Sequence, residues 1–284
     1  MSDRRNLRLF ASNHKRCSDR RYVSPGARRL GFESLERRTL LAVGAVPAAA
    51  GVVNLSANAG NDIAAVMDDG QVAWYNEDGL YFHDGIATTR VDKPSSFYQI
   101  DAGNLVWFGP TSEMAAGIFL YDGTDTRLLG ETASPFFQAD EGNVAWMGID
   151  GLYLYNGTTT TRLGSPTPSY QLEGGQVVWF EPDEGDPGDP ADDTSNVYFF
   201  DGTTTHTLTN NGILPPYETS GMGGAPGTLI DEGKVVWLEL ASEENTEVRL
   251  YDSATEQTKI LGLGMFPQIE DGQVAWMHAV EAQT

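Results

Sequence analysis

The chain has little cysteine, no long apolar run and no helical periodicity after residue 50. Its only cysteine is Cys17, which excludes disulfides, metal thiolates and a cysteine nucleophile from the rest of the chain. No apolar run approaches the roughly 18 residues that a membrane-spanning helix needs, so residues 51–284 are expected to be soluble and without a transmembrane segment. The missing helical period excludes helix-based repeats.

Positive charge is also scarce outside the N-terminal part. The first 42 residues hold 11 of the 18 lysines and arginines and four of the 40 acidic residues, so their net charge is +7 and that of the remainder is −29. An acidic body of this size repels nucleic acid and anionic membrane surfaces, and we expect neither as a partner. Solubility is the favoured reason for the acidity. Binding of cations or basic partners is the alternative.

A pentapeptide of the form Gly-x-Val-x-Trp, with leucine once in place of valine, occurs six times. Each of the six tryptophans of the chain ends one copy, and successive tryptophans are 33, 39, 33, 58 and 39 residues apart. A period in this range is typical of solenoids, propellers and other repeat arrays. The six tryptophans are Trp74, Trp107, Trp146, Trp179, Trp237 and Trp276.

Three further patterns accompany the pentapeptide, so that one repeat is interpreted as four strands. Strand A resembles Tyr98-Gln99-Ile100-Asp101, and strand B is the pentapeptide. Strand C is an aromatic run closed by Asp-Gly or a similar pair, which predicts a tight hairpin turn to the Thr-rich strand D. An acid lies six residues before every tryptophan, and the repeat glycine that follows it predicts a two-residue turn with positive φ.

Four short antiparallel strands per repeat predict an all-β chain that folds as a β-propeller of about six blades. Residues 1–50 are expected to form a basic, disordered or cleaved export leader, and residues 51–284 the propeller. The blades are expected at roughly 58–93, 94–131, 132–165, 166–211, 226–262 and, in part, 263–284. The stretch from Ile213 to Gly227 is expected to be an inserted loop between two blades.

Closure of the last blade is left open by the sequence. Strand B occurs six times, whereas strands C and D occur five times. Either the last blade is incomplete, or residues 51–57 supply a strand to it, or the chain is a truncated repeat array. An unsealed final hairpin would expose an edge that invites pairing or aggregation.

The blade pattern resembles the TolB-like, WD40-like propeller repeats of secreted and periplasmic bacterial proteins. The resemblance covers residues 60–280 and rests on the aromatic-Asp-Gly-Thr strand pair and on Gln-Ile-Asp-x-Gly-x-Val-Val-Trp; the Leu-Thr ending of the family appears only at Leu208-Thr209. It implies a protein-interaction module and supplies no catalytic residue.

A second resemblance concerns the leader. The stretch from Phe32 to Leu41 is similar to the LEPR-XLL sorting motif of bacterial surface and secreted proteins, with Arg37 in place of the motif's proline. A short Ala-rich segment follows, as in secretory signals. The resemblance implies an exported protein, secreted or at the cell surface. The alternative, an Arg-rich tail that binds nucleic acid, is disfavoured by the Ala-rich segment.

A glutamine recurs on strand A, eight residues before its tryptophan. These amides are candidates to line the central channel and bind an ion, water or a small polar ligand. The favoured alternative is that they satisfy buried backbone groups of neighbouring blades. The four candidates are Gln99, Gln138, Gln171 and Gln268.

No metal site and no cofactor are expected. The strand-A acids are interpreted as turn formers spread around a ring. The acidic loop from Glu181 to Asp193 has oxygens for calcium, with Asp183, Asp186 and Asp189 as weak candidates, but it lacks the spacing of a calcium loop. A solvated insertion is the favoured interpretation.

The histidines and the strand-D cations are given structural roles. None of the four histidines pairs with a recurring serine or aspartate. Cations on outer strands deter sheet-to-sheet pairing. Aromatic residues on strands A and C could line a sugar-binding rim, although their alternation fits the core between blades better.

The favoured hypothesis is an exported, non-catalytic propeller, expected to be a monomer, that binds an extracellular protein or glycan. A propeller-fold hydrolase or lyase acting on polysaccharide is the alternative and would need two carboxylates converging on the channel mouth. A truncated array without independent function is the third hypothesis.

Overall fold

The computed structural model describes residues 54–56, 61–111, 115–182, 194–213, 228–242 and 245–278. All of them belong to one compact unit, Ala48–Thr284. The leader and its sorting motif lie outside the described residues. So do the acidic loop with Asp183, Asp186 and Asp189 and residues 214–227 of the expected insertion.

The described residues form β-strands joined by turns and loops. In chain order the strands are β1 (Ile63–Asp68), β2 (Gln71–Tyr75), β3 (Leu80–His83), β4 (Thr88–Asp92), β5 (Tyr98–Asp101), β6 (Asn104–Pro110), β7 (Ala116–Tyr121), β8 (Thr126–Glu131), β9 (Phe137–Asp140), β10 (Asn143–Met147), β11 (Leu152–Tyr155), β12 (Thr160–Gly164), β13 (Tyr170–Glu173), β14 (Gln176–Pro182), β15 (Thr194–Phe200), β16 (Thr205–Ile213), β17 (Ile230–Asp231), β18 (Lys234–Ser242), β19 (Asn245–Asp252), β20 (Gln257–Leu263), β21 (Met265–Glu270) and β22 (Gln273–Met277).

Each group of four consecutive strands pairs antiparallel in the order A, B, C, D, and the first three groups form separate four-stranded sheets. Blades 4 and 5 are linked into one sheet because the end of β16 pairs with β18, with Gly212 opposite Glu239 and Ile213 opposite Leu238. The expected all-β propeller is confirmed. In the described residues its last blade is only the hairpin β21–β22.

The turn between strands A and B is the two-residue turn that the sequence predicts. Ala102 and Gly103 have φ of 47° and 84°, and Glu141 and Gly142 have φ of 48° and 79°. Positive φ at both central residues defines a type I′ turn, whose twist matches that of the flanking strands. The repeat glycine is therefore a backbone requirement of the hairpin.

The loop between strands C and D is longer than the tight turn that the Asp-Gly pairs suggested. In blade 1 it has four residues, Asp84 to Ala87, because His83 pairs with Thr88. The Asp84 carboxylate accepts hydrogen bonds from the amides of Ile86 and Ala87 at 2.8 and 2.7 Å. These bonds lower the pKa of Asp84. Asp122, Asn156 and Asp201 organise their loops in the same way.

Antiparallel order assigns the connections to two faces of the propeller. The A–B turns and C–D loops share one face, called the turn face here. The B–C loops and the links from strand D to the next strand A share the opposite face, called the loop face. Loop-face connections differ in length, since the B–C loop spans 76–79 in blade 1 and 183–193 in blade 4.

The hydrophobic core lies between successive blades. Between blades 2 and 3, Val106, Ile118 and Leu120 of one sheet pack against Val144 and Trp146 of the next. Successive side chains of a strand point to opposite faces of the sheet. One side chain therefore packs against the preceding blade, and the next one packs against the following blade. In the described part of the chain there is no helix long and apolar enough to cross a membrane.

Candidate interaction surface

Three of the four strand-A glutamines accept a hydrogen bond from the backbone of the next blade, and the fourth, Gln268, is exposed on β21. Gln99 Oε1 accepts a hydrogen bond of 2.9 Å from the amide of Ala139, and Gln138 Oε1 accepts one of 2.7 Å from the amide of Leu172. Gln171 Oε1 does the same with Leu229 at 2.6 Å. These contacts agree with the favoured interpretation of the glutamines. Their role as channel-lining ligand groups stays a prediction.

The strand-A acids also reach across to the next blade. In four successive interfaces the carboxylate accepts a hydrogen bond from an amide in the A–B turn of the following blade. We call this contact the turn lock. Its four pairs are Asp101 with Gly142 at 2.6 Å, Asp140 with Gly174 at 2.6 Å, Glu173 with Glu232 at 3.0 Å and Asp231 with Gly272 at 2.6 Å.

The turn lock was missed by the sequence analysis, which assigned these acids to their own turns. The sequence does contain a pattern that indicates this contact. An acid lies six residues before every tryptophan, and a turn former alone would not need so constant a position. The locked acids also affect one another. Burial raises the pKa of Glu173, the charges of Asp231 and Asp140 raise it further, and the Glu232 amide lowers it.

The histidines and cations contact neighbouring side chains and backbone. His206 Nε2 lies 2.8 Å from Asp201 Oδ2, and His83 Nδ1 lies 3.1 Å from the Thr88 hydroxyl. Arg127 forms an ion pair with Asp122 and donates to the Tyr155 hydroxyl of the next blade. These contacts give the strand-D cation Arg127 a specific role besides protecting an outer edge.

Five of the six repeat tryptophans are buried, and Trp107, Trp146, Trp179 and Trp237 pack in the clusters between blades. The exposed fraction of Trp146 is 1%, and four of the five stack on an aromatic ring directly opposite on strand C, as Trp146 does on Tyr153 at 5.6 Å. Trp276, in the last hairpin, is 36% exposed. The five tryptophans thus lie in the core, and the sixth does not.

Hydroxyl groups tie the link before strand A to the end of strand B. Ser95 Oγ donates to the Phe108 carbonyl at 2.8 Å, and Thr167 Oγ1 donates to the Phe180 carbonyl at 2.7 Å. Thr132 makes the equivalent contact with Met147. These bonds hold the loop-face links in a defined conformation, so that the residues beside them are displayed on a rigid frame.

Exposed apolar side chains lie on this loop face. Phe136 is 64% exposed and Ile149 is 67% exposed, and Phe97, at the position equivalent to Phe136 in the preceding blade, is exposed as well. Strands β5 and β9, which follow Phe97 and Phe136, contact each other. We call these three loop-face residues the apolar cluster; Phe136 and Ile149 belong to the same blade, and Phe97 belongs to the preceding one. The alternation of aromatic residues on strand A predicts core positions for them, whereas Phe97 and Phe136, directly before β5 and β9, are exposed.

No group that could bind a metal appears in the described residues, since no three or more histidine, cysteine, aspartate or glutamate side chains are grouped there. The turn-lock acids use their oxygens on backbone amides of the next blade. The weak calcium candidates Asp183, Asp186 and Asp189 are outside the described residues and stay predictions.

Comparison with known proteins finds similarity in structure only. No family model and no curated protein sequence matches the chain. The β-propeller domain of the Trilobed protease from Pyrococcus furiosus, whose topology is an open velcro, matches with a TM-score of 0.43 and 8% identity over 76% of this chain and 77% of that one.

Two bacterial proteins match over similar lengths. A putative TolB from Agrobacterium tumefaciens has a TM-score of 0.33 and 13% identity over 70% of this chain and 79% of its own. An uncharacterized protein from Listeria monocytogenes has a TM-score of 0.43 and 11% identity over 79% and 83%. The order of its own sheets makes this chain a β-propeller, and TolB proteins are among the solved structures that it resembles.

Proposed function

We propose that this chain is an exported, non-catalytic β-propeller that binds a protein partner at the bacterial cell surface through its loop face. The apolar cluster of Phe97, Phe136 and Ile149 carries the proposal. Exposed large apolar side chains cost solvation free energy, and several of them on one face of a protein favour a contact surface there. Export is supported by the basic leader and its LEPR-XLL-like motif.

The distribution of polar groups favours binding over catalysis. The recurring glutamines and acids of strand A accept hydrogen bonds from backbone amides of the following blade. A catalytic carboxylate pair would instead need both groups free to reach a substrate. The loop face combines rigid links with loops of different length, which is the usual arrangement of binding surfaces on a propeller.

A protein partner fits the apolar cluster better than a glycan does. Phenylalanine and isoleucine offer no hydrogen-bonding group to the hydroxyls of a sugar, whereas they bury well against another protein. The net charge of −29 after residue 42 favours a partner whose rim is basic, because complementary charge speeds association. Its binding would weaken as salt concentration rises.

Site-specific photocrosslinking in the cell-envelope fraction tests this proposal. A photoreactive phenylalanine at position 136 is expected to give a discrete protein adduct. The matched control is the same residue at position 86, because Ile86 is 92% exposed but lies on the turn face. Phe136→Ser should abolish capture of the adduct protein, and Ile86→Ser should preserve it. Equal adducts at both positions would overturn the loop-face assignment.

Two further assays separate the alternatives. A glycan array on which Phe136→Ser abolishes binding and Ile86→Ser does not would make the partner a glycan. Release of reducing ends or unsaturated products from polysaccharide by the chain would favour the hydrolase or lyase hypothesis. Cell fractionation with and without residues 1–50 tests export, and retention of the full chain in the cytoplasm would contradict it.

A further inference from the structure

The indole N–H of Trp146 is a buried hydrogen-bond donor without an acceptor among the described residues. Trp146 is 1% exposed. An added Cβ at Gly130, on the last strand of the preceding blade, would lie 3.2 Å from its Nε1. A buried N–H group that has left water and gained no acceptor costs about 1–3 kcal/mol. This N–H group is therefore able to bind an acceptor.

The equivalent indoles at the other interfaces between two described blades do have acceptors. Trp107 Nε1 donates to Asp92 Oδ2 at 2.9 Å, and Trp179 Nε1 donates to Glu181 Oε1 at 3.0 Å. Trp74 Nε1 also has no acceptor in the described residues, but no described blade precedes it. The remaining contacts join Trp237 Nε1 to Glu239 Oε2 at 3.4 Å and Trp276 Nε1 to the Leu263 carbonyl at 3.3 Å.

Two positions supply the carboxylates, and both are glycine around Trp146. Asp92 ends strand D of blade 1, and Gly130 has the same register in blade 2. Glu181 lies two residues after its tryptophan, and Gly148 has that position in blade 3. The interface between blades 2 and 3 therefore has no acidic side chain at either position, whereas the interfaces on both sides of it have one.

A main-chain amide joins the indole in binding each carboxylate. Asp92 Oδ1 accepts a hydrogen bond of 2.7 Å from the amide of Lys93, and Glu181 Oε1 accepts one of 2.7 Å from the amide of Ser165. Each amide belongs to the residue that follows the same strand-D position. A carboxylate at this place thus receives hydrogen bonds from both blades that it joins.

The interface between blades 2 and 3 offers the same two donors. The amide of Glu131 follows Gly130, as the amide of Lys93 follows Asp92. The Thr132 amide donates to the Ala116 carbonyl, and amides alternate in direction along an antiparallel strand. The Glu131 amide therefore points away from β7. A carboxylate from outside the chain would satisfy this amide and the indole together.

Two members of the apolar cluster flank these donors. Thr132 Oγ1 donates to the Met147 carbonyl at 2.5 Å, which holds the link that carries Phe136 against the end of strand B. Ile149 directly follows Gly148 in the B–C loop. Exposed apolar side chains and a buried polar donor thus lie within a few residues of one another on the loop face.

The half-exposed ring of Tyr153 covers the approach. An added Cβ at Gly148 would lie 2.7 Å from this ring, so an entering group displaces it. The exposed acids Glu131 and Asp150 oppose an anion, and Arg162, which donates to the Asp150 carbonyl at 2.7 Å, favours one. A ligand must therefore combine its carboxylate with apolar groups that bind beside it.

We infer that this interface binds an aspartate or glutamate side chain of the protein partner, with Trp146 Nε1 and the Glu131 amide as donors. The inference rests on the proposed function, because apolar parts of the same partner would cover Phe136 and Ile149. An acidic side chain is favoured because acidic side chains take this place in the adjacent interfaces. A basic rim around one buried acidic anchor agrees with the usual anatomy of an interface.

NMR spectroscopy of the full chain titrated with hexanoate tests the inference without the partner. Hexanoate joins a carboxylate to an apolar tail. The Nε1–H resonance of Trp146 should move downfield and saturate, whereas those of Trp107 and Trp179, which already have acceptors, should move little. Hexanamide keeps the tail and an acceptor oxygen but has no charge, and it should bind about tenfold or more weakly.

Variants identify the resonance and compete for the site. Trp146→Phe should remove one indole resonance and the response to hexanoate, and Trp179→Phe is the matched control that should keep the response. Sequential assignment of the parent spectrum identifies the resonance if Trp146→Phe does not fold. Gly148→Glu places a carboxylate where blade 4 has Glu181, and it should abolish the hexanoate shift. Circular dichroism verifies that each variant folds.

A Trp146 resonance that hexanoate leaves unmoved, or that hexanamide moves equally, would overturn the inference. Equal shifts of all three indole resonances would do the same, since they indicate a general effect of the additive. A discrete photocrosslinked adduct at position 136 without a hexanoate shift would support the protein partner and refute the carboxylate site. A shift specific to Trp146 without any adduct would support the site and contradict the protein partner.

Discussion

The carboxylate of Asp140 accepts a hydrogen bond of 2.6 Å from the amide of Gly174, across the interface between blades 3 and 4. The two residues are 34 positions apart, about one repeat, so the last residue of strand A in blade 3 binds the A–B turn of blade 4. The same contact recurs at the three other interfaces of the turn lock. The apolar core and the polar turn face therefore stabilise the same interfaces.

Asp140→Ala tests the turn lock. The substitution leaves the Gly174 amide without its charged acceptor, and we expect the free energy of unfolding to fall by about 1–2 kcal/mol. Urea denaturation followed by tryptophan fluorescence measures it. Asp125→Ala is the control, because the Asp125 side chain has no hydrogen bond among the described contacts. Equal losses in the two variants would contradict the lock.

Glu173→Gln is expected to stabilise the protein at neutral pH. The pKa of Glu173 is raised by burial and by the charges of Asp231 and Asp140. A carboxylic acid whose folded pKa is raised loses stability as pH rises from its usual value of 4.5 through the folded pKa. Glutamine keeps an acceptor for the Glu232 amide and removes the charge.

The melting temperature of Glu173→Gln should therefore exceed that of the parent by about 1–3 °C at neutral pH. The difference should disappear as pH falls below the usual glutamate pKa. Glu173→Ala loses the acceptor and should melt lower than Glu173→Gln. A difference between parent and Glu173→Gln that is constant with pH would show that the charge is not responsible.

The ionised carboxylate of Asp201 is expected to stabilise blade 4, and this stabilisation should be lost in acid. Burial raises the pKa of its carboxyl, but hydrogen bonds from His206, Thr204 and Thr203 hold it well below its usual range. A lowered folded pKa gives stability that is present above the usual aspartate pKa of 3.8 and is lost as pH falls through the folded value.

Asp201→Asn should keep the loop, because Asn156 accepts the equivalent amides in blade 3. The melting temperature of Asp201→Asn should be lower than that of the parent at neutral pH, and the difference between the two should disappear in acid. Asp201→Ala should be less stable than Asp201→Asn. Thermal melts recorded across pH decide this. A gap that widens in acid would reverse the assigned sign.

Trp146→Ala and Trp276→Ala should differ strongly although both tryptophans end the same pentapeptide. Trp146 is 1% exposed and stacked, and truncating it should cost about 3–5 kcal/mol. Trp276 is 36% exposed, so its truncation removes less buried apolar area and should cost about 1–3 kcal/mol. Urea denaturation followed by circular dichroism gives both values. Similar losses would show that the last hairpin is packed like a complete blade.

Local patterns were enough to predict the strands and the hairpins. The A–B turn needs a residue that tolerates positive φ, such as Gly103 with φ of 84°. This requirement involves only the two adjacent turn residues, so the recurring glycine reveals it in the sequence. The alternation of Val144 and Trp146 likewise shows which side chains share a face of a strand. The position of the C–D loop was predicted correctly, but its length was predicted too short. The Asp84 carboxylate accepts hydrogen bonds from amides two and three residues later, and the four-residue loop includes them.

Contacts between blades could not be predicted in the same way. The sequence shows that Asp140 and Gln138 recur, but their partners Gly174 and Leu172 are known only once the twist of one sheet against the next is set. The exposure of Phe136 follows from the same cause. Its pattern resembles that of a core residue, and only its position at the start of strand A places it on the loop face.

The sequence by itself determined the repeat, the strand order within a blade, the acidic body and the basic leader, because each depends on residues close together in the chain or on composition. The tertiary structure decided which acids join blades, which phenylalanines face solvent and how deeply each repeat tryptophan is buried. Trp276 illustrates the division. Its pentapeptide is identical to that of Trp74 and differs from that of Trp146 only at the second residue, but the burial of the tryptophan depends on the side chains that other strands pack against it.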